Sequence, residues 1–312
     1  MRYSEKDVRI TLSIALKGVN AMPNPSPLRY PGGKARLANF IGIAIQNLGI
    51  PNCTYVEPFA GGAGVALSLL LSGTVENIII NDYDKAIYSF WRAIKQEPGA
   101  LIQKIWDTPL TIDEWRRQKE IYQTSTAYSL DLAFATLFLN RTNRSGILNA
   151  GPIGGYSQSG DWKLDVRFDK DAIISKIAAI AEHKKNIAVY NKDIISLLRN
   201  YATAWGNNVF FYFDPPYYNK GQKLYKNFFT HYDHKRIRDV IVQEIVSPWI
   251  ITYDDVSEIE NLYADFTIQK FDLTYSAANK GTASELIIFS DTQWCPTQEQ
   301  LANSKISINL RS

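Results

Sequence analysis

The chain has 312 residues, 46% hydrophobic and 21% charged, which is enough apolar material for one large or two modest domains. Its net charge of +3 neither requires nor excludes a polyanionic partner. Cys53, Cys295 and the three histidines form no ligand-spaced cluster, so neither a metal site nor a disulfide framework is supported. The apolar run 10–16 is too short to span a membrane, and we expect a cytoplasmic protein.

The first 95 residues predict half of an α/β core. An N-terminal extension ends in a proline-rich linker at 23–27, and a helix is predicted at 35–48. A βαβα unit follows, with strand 54–57, helix 65–71, strand 77–80 and helix 85–94.

Residues 96–165 break this alternation. Helices are predicted at 112–122 and 128–139, the second with apolar residues at helical spacing. Residues 140–163, here named the recognition loop, are rich in Gly, Asn and Ser and predict a loop or hairpin. We interpret the block as an insertion between two parts of one core.

The alternation resumes near Asp169 and supplies five more strands. The predicted elements are helix 172–181, strand 187–190, helix 194–201, strand 209–213, helix 232–246, strand 249–252, helix 256–263, strand 266–273 and strand 285–290. Seven strands with intervening helices predict an α/β fold with a doubly wound, mostly parallel sheet. The last two strands lack a helix between them and should be antiparallel. A weakly anchored polar tail is expected at 293–312.

The central predicted strand ends in Phe213-Asp214-Pro215-Pro216-Tyr217. Proline cannot donate to a strand ladder and fixes φ, so the strand stops at Asp214. In open α/β sheets, ligands bind outside the carboxyl ends of the strands. The segment is therefore either a plain strand-to-turn cap or an acid placed at a ligand crevice.

A second candidate site follows the first strand, at Phe59-Ala60-Gly61-Gly62-Ala63-Gly64. Glycines let a ligand approach backbone amides at a helix N-terminus. The spacing is neither that of a dinucleotide site nor that of a P-loop. Asp82 ends the next strand, where it could accept hydrogen bonds from ribose hydroxyls or cap a helix. Together these features indicate an adenosine-containing ligand held without a phosphate clamp.

Three motifs in this order resemble the Dam-type adenine-N6 DNA methyltransferases. They are Pro27-Leu28-Arg29-Tyr30-Pro31-Gly32-Gly33-Lys34, Val56-Glu57-Pro58-Phe59-Ala60-Gly61-Gly62-Ala63-Gly64 and Asp214-Pro215-Pro216-Tyr217. The resemblance implies a seven-stranded S-adenosylmethionine-dependent methyltransferase sheet with an inserted, mainly helical target-recognition region. The expected organisation is an extension (1–26), a catalytic domain (27–95 and 166–292), the target-recognition region (96–165) and a tail (293–312).

The resemblance also implies the cofactor contacts. Tyr30 and Lys34 match the segment that closes over S-adenosylmethionine, although relatives often have Trp at the first position. Phe59, Gly61, Gly62 and Gly64 would wrap the methionine end. Asp82 would hold the ribose, and Asp193, a helix cap in the alternative interpretation, would recognise the adenine amino group.

For catalysis, Asp214 and the Pro215 carbonyl would accept hydrogen bonds from the N6 hydrogens of the target adenine. Tyr217 would stack on that base after it is flipped out of the duplex. Phe228 or Phe229 would form the opposite wall, or belong to the ordinary core. No covalent nucleophile and no metal are needed.

The recognition loop begins with Asn140-Arg141-Thr142-Asn143-Arg144, which resembles the family's Asn-Arg segment. Arg and Asn suit the edges of guanine and adenine, and the predicted DNA contacts are Arg141, Asn143, Arg144 and Lys163. The stretch 150–156 departs from the aromatic-rich hairpin of the GATC methylases, so GATC specificity is not supported.

The sequence thus predicts a site-specific adenine-N6 methyltransferase acting on double-stranded DNA as a monomer or weak dimer. It would act either alone or beside a cognate restriction endonuclease. Two alternatives stay open. The acid-proline-proline-aromatic arrangement serves any planar amine, which leaves methylation of RNA adenine or of cytosine N4. A catalytically silent DNA-binding relative is the other alternative.

Overall fold

The computed structural model describes residues 24–29, 34, 37–219, 229–274, 282–304 and 310–311. Within these residues one sheet contains eight strands. They are β1 (Thr54–Glu57), β2 (Asn77–Asn81), β3 (Ile187–Tyr190), β4 (Val209–Phe213), β5 (Trp249–Asp254), β6 (Thr267–Thr274), β7 (Thr282–Phe289) and β8 (Leu310–Arg311). Their spatial order is β3-β2-β1-β4-β5-β7-β6-β8.

Helices cover both faces of the sheet. They are α1 (Leu37–Leu48), α2 (Gly64–Leu71), α3 (Lys85–Gln96), α4 (Pro98–Asp107), α5 (Ile112–Thr124), α6 (Leu130–Thr142), α7 (Lys170–Glu182), α8 (Ile194–Tyr201), α9 (His231–Glu244), α10 (Ser257–Leu262) and α11 (Gln298–Asn303). None of the helices in this part of the chain is long and apolar enough to cross a membrane.

Strand pairing confirms the predicted doubly wound sheet. The four pairs among β1 to β5 are parallel, and β7 is antiparallel to both β5 and β6. The chain order reverses between β1 and β4, which are neighbours. Such a reversal opens a crevice at the carboxyl ends of the strands. The glycine-rich turn after β1 and the Asp-Pro-Pro turn after β4 both lie at this point.

Strand β4 shows why the sheet is covered on both sides. All five of its residues are buried, as expected for a central parallel strand with helices on each face. Phe210 and Tyr212 face the core beneath α1, α2 and α3, whereas Phe211 and Phe213 face the core beneath α8 and α9. This alternation follows from the two-residue repeat of a strand.

Helix α6 of the inserted block is buried on nearly all sides. Phe134 and Phe138 belong to the same apolar cluster as Phe90 and Trp91 of α3, and Thr136 Oγ1 donates to the Ala86 carbonyl oxygen. The recognition loop therefore begins at the end of a rigid helix. The limits 96–165 of a separate target-recognition region stay a prediction.

The C-terminal tail is better anchored than expected. Trp294 is buried against Phe210 and Phe289, and Leu301 of α11 is buried as well. Strand β8 pairs with β6 and adds an eighth strand to the predicted seven. The burial of these residues could not be predicted from the sequence, because single apolar residues in a polar tail produce no periodic pattern.

Candidate active site

The Asp-Pro-Pro turn and the glycine-rich turn lie side by side. Val56 of β1 is opposite Phe211 of β4 in the parallel ladder. Each turn begins at the carboxyl end of its own strand. The topology therefore brings together two motifs that are about 150 residues apart in the sequence.

One buried ammonium group lies between two carboxylates at the end of β4. Lys34 Nζ is 3.0 Å from Asp214 Oδ1 and 2.7 Å from Glu285 Oε2. It also donates to Thr252 Oγ1 at 3.1 Å. The Thr252 hydroxyl in turn donates to Asp214 Oδ1 at 2.9 Å and lies 2.9 Å from the Tyr212 hydroxyl. Within the described residues, the hydrogen bonds of the Asp214 carboxylate are thus made by one oxygen.

The charges in this cluster shift one another's pKa values. Burial raises the pKa of Asp214, and the charge of Lys34 opposes this effect while Glu285 adds to it. Burial alone would lower the pKa of Lys34, but Asp214 and Glu285 outweigh it and hold the pKa above its usual value. Lys34 therefore stays charged. The Lys34–Asp214–Glu285 cluster has a net charge of −1 when both acids are ionised.

Tyr217 lies over the same cluster. Its hydroxyl donates to Glu285 Oε1 at 2.5 Å, and Lys34 Nζ is 5.4 Å from the centre of its ring. The turn around it is fixed by Asp254 at the end of β5, whose carboxylate accepts from the Tyr218 and Asn219 amides at 2.8 and 3.0 Å. The ring of Tyr217 is thus fixed at both its backbone and its hydroxyl end.

The glycine-rich turn has a left-handed backbone where it approaches the crevice. Gly61 has φ +45°, and Ala63 at the start of α2 has φ +47°. Trp91 Nε1 donates to the Gly61 carbonyl oxygen at 2.9 Å and supports the turn from α3. Glu57, which sequence reasoning did not single out, accepts from Ala66 N at 3.0 Å at the beginning of α2. Burial raises the pKa of Glu57 to about 8.

Asp82 lies beside this turn, as predicted from its place after β2. Its two oxygens accept from the amides of Gly61 and Asp84 at 2.9 and 2.8 Å. Burial raises the pKa of Asp82 to about 7, although both backbone donors lower it. The neighbouring Tyr83 is 65% exposed.

Asp193 is the N-cap of α8 and accepts from Ser196 N at 3.0 Å. Desolvation raises its pKa, but the bonds from Ser196 outweigh this and hold it below its usual value. The loop before it is tied to the Asp82 loop, because Asn191 Nδ2 donates to the Asp82 carbonyl oxygen at 2.8 Å. The helix-cap interpretation is therefore confirmed, and a cofactor contact by this exposed residue stays a prediction.

The recognition-loop residues have two different environments. Asn143 is fully buried. Its Oδ1 accepts from Trp115 Nε1 at 2.7 Å, and its Nδ2 donates to the Ile147 and Leu148 carbonyl oxygens at 2.9 and 3.0 Å. Both amide hydrogens are used to support the loop, and a base contact by Asn143 stays a prediction. Arg144 and Lys163, in contrast, are exposed.

Asn140 and Arg141 attach the recognition loop to the segment that leads to Lys34. The Asn140 side chain accepts from Arg29 N at 2.7 Å and donates to the Arg29 carbonyl oxygen at 2.8 Å. Arg141 Nε donates to the Pro27 carbonyl oxygen at 2.6 Å. Gly146 packs directly against the same Arg29 backbone. It has φ +75°, and an added Cβ would lie 2.9 Å from the Arg29 carbonyl oxygen, so a larger residue would disturb this contact.

Two predicted contacts, Tyr30 and Phe228, lie outside the described residues. Phe229 is half-buried and makes edge contacts with Phe59 and His234, at 6.3 and 5.6 Å between ring centres. Within the described part of the chain, no group of His, Cys, Asp or Glu side chains could hold a metal ion.

Residues 30–277 match the model of the D12 class N6 adenine-specific DNA methyltransferases. The chain belongs to this family. It is 24% identical over 220 residues to type II methyltransferase M.MjaIII of Methanocaldococcus jannaschii, covering 66% of this chain and 73% of the relative. It is 23% identical over 258 residues to type II methyltransferase M1.LlaDCHI of Lactococcus lactis subsp. cremoris, covering 75% of this chain and 85% of the relative. Among solved structures, the rRNA methyltransferase AviRa of Streptomyces viridochromogenes superimposes with a TM-score of 0.39 at 13% identity, covering 93% of this chain and 96% of AviRa.

Family membership confirms the predicted resemblance and the adenine-specific DNA methyltransferase class. The residue roles are a separate matter. In the structure Lys34 contacts Asp214, Thr252 and Glu285, and its predicted cofactor contact stays a prediction. Thr252 and Glu285 were not foreseen, and no short motif marks either of them.

Proposed function

We propose that the cleft between the two turns transfers a methyl group from S-adenosylmethionine to N6 of an adenine in double-stranded DNA. The observation that supports this most is the position of Asp214 and Tyr217. A carboxylate and an aromatic ring, both fixed by hydrogen bonds, stand at the switch point of a D12-family sheet, beside a glycine-rich turn.

The residues present fit S-adenosylmethionine. The left-handed turn at Gly61 and Ala63 gives a ligand access to backbone amides at the start of α2, and it lacks the features of a phosphate clamp. Asp82 would hold the ribose hydroxyls, Asp193 the adenine amino group, and Tyr83 would cover the adenine face. Phe59, Gly62, Gly64 and Tyr30 would complete the site. The bound cofactor would supply the methyl group on its sulfonium sulfur.

The protein must then orient N6, whose lone pair is delocalised into the adenine ring. The Asp214 carboxylate and the Pro215 carbonyl would accept its two hydrogens and favour a pyramidal nitrogen facing the glycine-rich turn. The charge of Lys34 would favour the ionised form of Asp214 against the effect of burial. Positioning of this kind can supply up to about 7–11 kcal/mol of the barrier reduction.

Tyr217 would stack on the flipped adenine. Flipping costs about a few kcal/mol, and stacking on an aromatic ring returns about 1–3 kcal/mol. The hydrogen bond from Tyr217 to Glu285 holds the ring in place before the base arrives, so less side-chain entropy is lost on binding. Phe229 lies on the opposite side, against Phe59.

A group of cations supports a DNA partner. Arg29, Arg141, Arg167 and Lys176 lie near the base of the recognition loop, and none of them forms a salt bridge within the described residues. Burial and the charge of Arg29 lower the pKa of Arg141 to about 10. Desolvation and the charge of Arg167 lower that of Arg29. A phosphate group would relieve this mutual repulsion, while the exposed Arg144 and Lys163 would contact the duplex from the loop.

Both curated relatives are named type II methyltransferases. We propose a site-specific role for this chain as well, either alone or beside a cognate restriction endonuclease. We propose that it acts as a monomer or weak dimer.

Mapping of methylated bases in DNA from cells that express the chain tests the function. We expect N6-methyladenine at one short sequence motif with the natural chain and with Asp265→Ala, an exposed control on the surface. Asp214→Ala should abolish methylation and leave S-adenosylmethionine affinity within about twofold, because the proposed partner of Asp214 is the target base. Methylation of RNA or of cytosine N4 alone would contradict the proposal.

A further inference from the structure

Glu285 is buried at the bottom of the site and contacts two of its parts at once. It lies on β7 opposite Asp254, and only 1% of its surface is exposed. Oε2 is 2.7 Å from Lys34 Nζ, while Oε1 accepts from the Tyr217 hydroxyl. None of the three motifs contains this residue.

Burying a carboxylate costs free energy on folding, because the charge loses its contact with water. Replacing a buried ion pair by two apolar side chains often leaves a protein equally stable. Lys34 alone would neutralise Asp214 at 3.0 Å, so a second acid is not required for that ion pair. Glu285 therefore changes the pair in a specific way. It shares the positive charge of Lys34, which leaves Asp214 more negative and a stronger hydrogen-bond acceptor.

We propose that Glu285 is a positioning residue for methyl transfer, acting through Lys34 on the charge of Asp214 and through the Tyr217 hydroxyl on the orientation of the stacking ring. The inference rests on the proposed function of this site. Neither effect requires Glu285 to touch the base or the cofactor.

The charge effect predicts a shift in the pH profile. The ionisable groups around Asp214 are Lys34, Glu285, Glu57 and three buried tyrosines, Tyr55, Tyr212 and Tyr253. Those around Glu285 are Lys34, Tyr217, Tyr212 and, across the β5–β7 ladder, Asp254. Glu285 raises the pKa of Asp214. Its neutralisation should therefore lower that pKa and move the acidic limb of the kcat profile to lower pH.

Glu285→Gln removes the charge and retains an oxygen for Tyr217, whereas Tyr217→Phe removes only the hydroxyl bond. We expect Glu285→Gln to lower kcat by on the order of 100-fold and to shift the acidic limb downward. Tyr217→Phe should lower kcat by about tenfold without shifting the limb. Glu258→Gln, an exposed acid on α10, is the control and should change neither.

A second measurement does not depend on turnover. Carbon-13 NMR of the Asp214 carboxyl, assigned with Asp214→Asn, should give a lower pKa in Glu285→Gln than in the natural chain. If Glu285→Gln changed neither the Asp214 titration nor the acidic limb of the kcat profile, the inference would be overturned. Any loss of kcat in that variant would then reflect structure alone. A shifted titration in a chain that methylates no DNA would instead refute the proposed function and leave the charge coupling standing.

Discussion

Replacing Lys34 by Met should destabilise the protein strongly, because it leaves the buried Glu285 and the partly buried Asp214 without their cation. The Lys34 side chain is 6% exposed and lies 3.0 and 2.7 Å from Asp214 and Glu285. Breaking a buried ion pair by removing one partner costs about 3–5 kcal/mol. We expect a loss of this size in the free energy of unfolding at pH 8, measured by urea denaturation.

The loss should be smaller at acidic pH. In Lys34→Met, burial and mutual repulsion raise the pKa of the carboxylate pair above its value in the unfolded chain. The folded variant then binds an extra proton that the unfolded chain has already lost, and stability falls as pH rises through the folded pKa. Urea denaturation near pH 5 should therefore recover part of the difference from the natural chain.

The chain contains a matched control for this experiment. Lys270 also lies between two acids, at 2.9 Å from Asp255 and 2.7 Å from Glu260, but its side chain is 38% exposed. Surface pairs contribute about 0–1 kcal/mol, so Lys270→Met should cost little at either pH. Equal losses for the two variants, or a Lys34→Met loss that is independent of pH, would refute the argument from burial.

Three further predictions concern the cofactor site and the recognition loop. Because the pKa of Asp82 is about 7, S-adenosylmethionine affinity should weaken as pH falls below that value, and calorimetry should show no such dependence in Asp82→Asn. Asn143→Ala should lower stability by about 1–3 kcal/mol in thermal denaturation, since Trp115 Nε1 loses its acceptor, while the methylated motif stays the same. Arg144→Ala should leave stability unchanged but weaken DNA binding by about 1–3 kcal/mol or relax the methylated motif; no change in affinity or motif would remove Arg144 from the interface.

Much of the fold could be predicted from local pattern. Strands β1, β3 and β4 and helix α8 occupy the predicted residues, because each is an apolar run bounded by turn-forming residues. Their parallel order followed from the alternation of strands and helices. The tail was underestimated because Trp294 and Leu301 bury isolated side chains without any repeat.

The candidate site was only half predictable for a different reason. Asp214 and the glycine-rich turn could be recognised in the sequence because proline and glycine restrict or free the backbone locally. Glu285 reaches Lys34, and through it Asp214, because of the antiparallel register between β7 and β5, which composition does not encode. Asn143 shows the converse limit, since an asparagine in a polar loop has the same sequence signature whether it faces DNA or supports a tryptophan.

The Asn140–Arg29 contact has a consequence for attempts to exchange sequence specificity between relatives. Arg29 precedes Lys34 by only five positions, and its backbone is bonded on both sides to the first residue of the recognition loop. A grafted loop that lacks Asn140 or Gly146 would therefore lose the contacts to the Arg29 backbone. Chimeras should therefore retain both residues and change the loop only beyond them. A chimera without them could acquire a new target sequence but would methylate it more slowly.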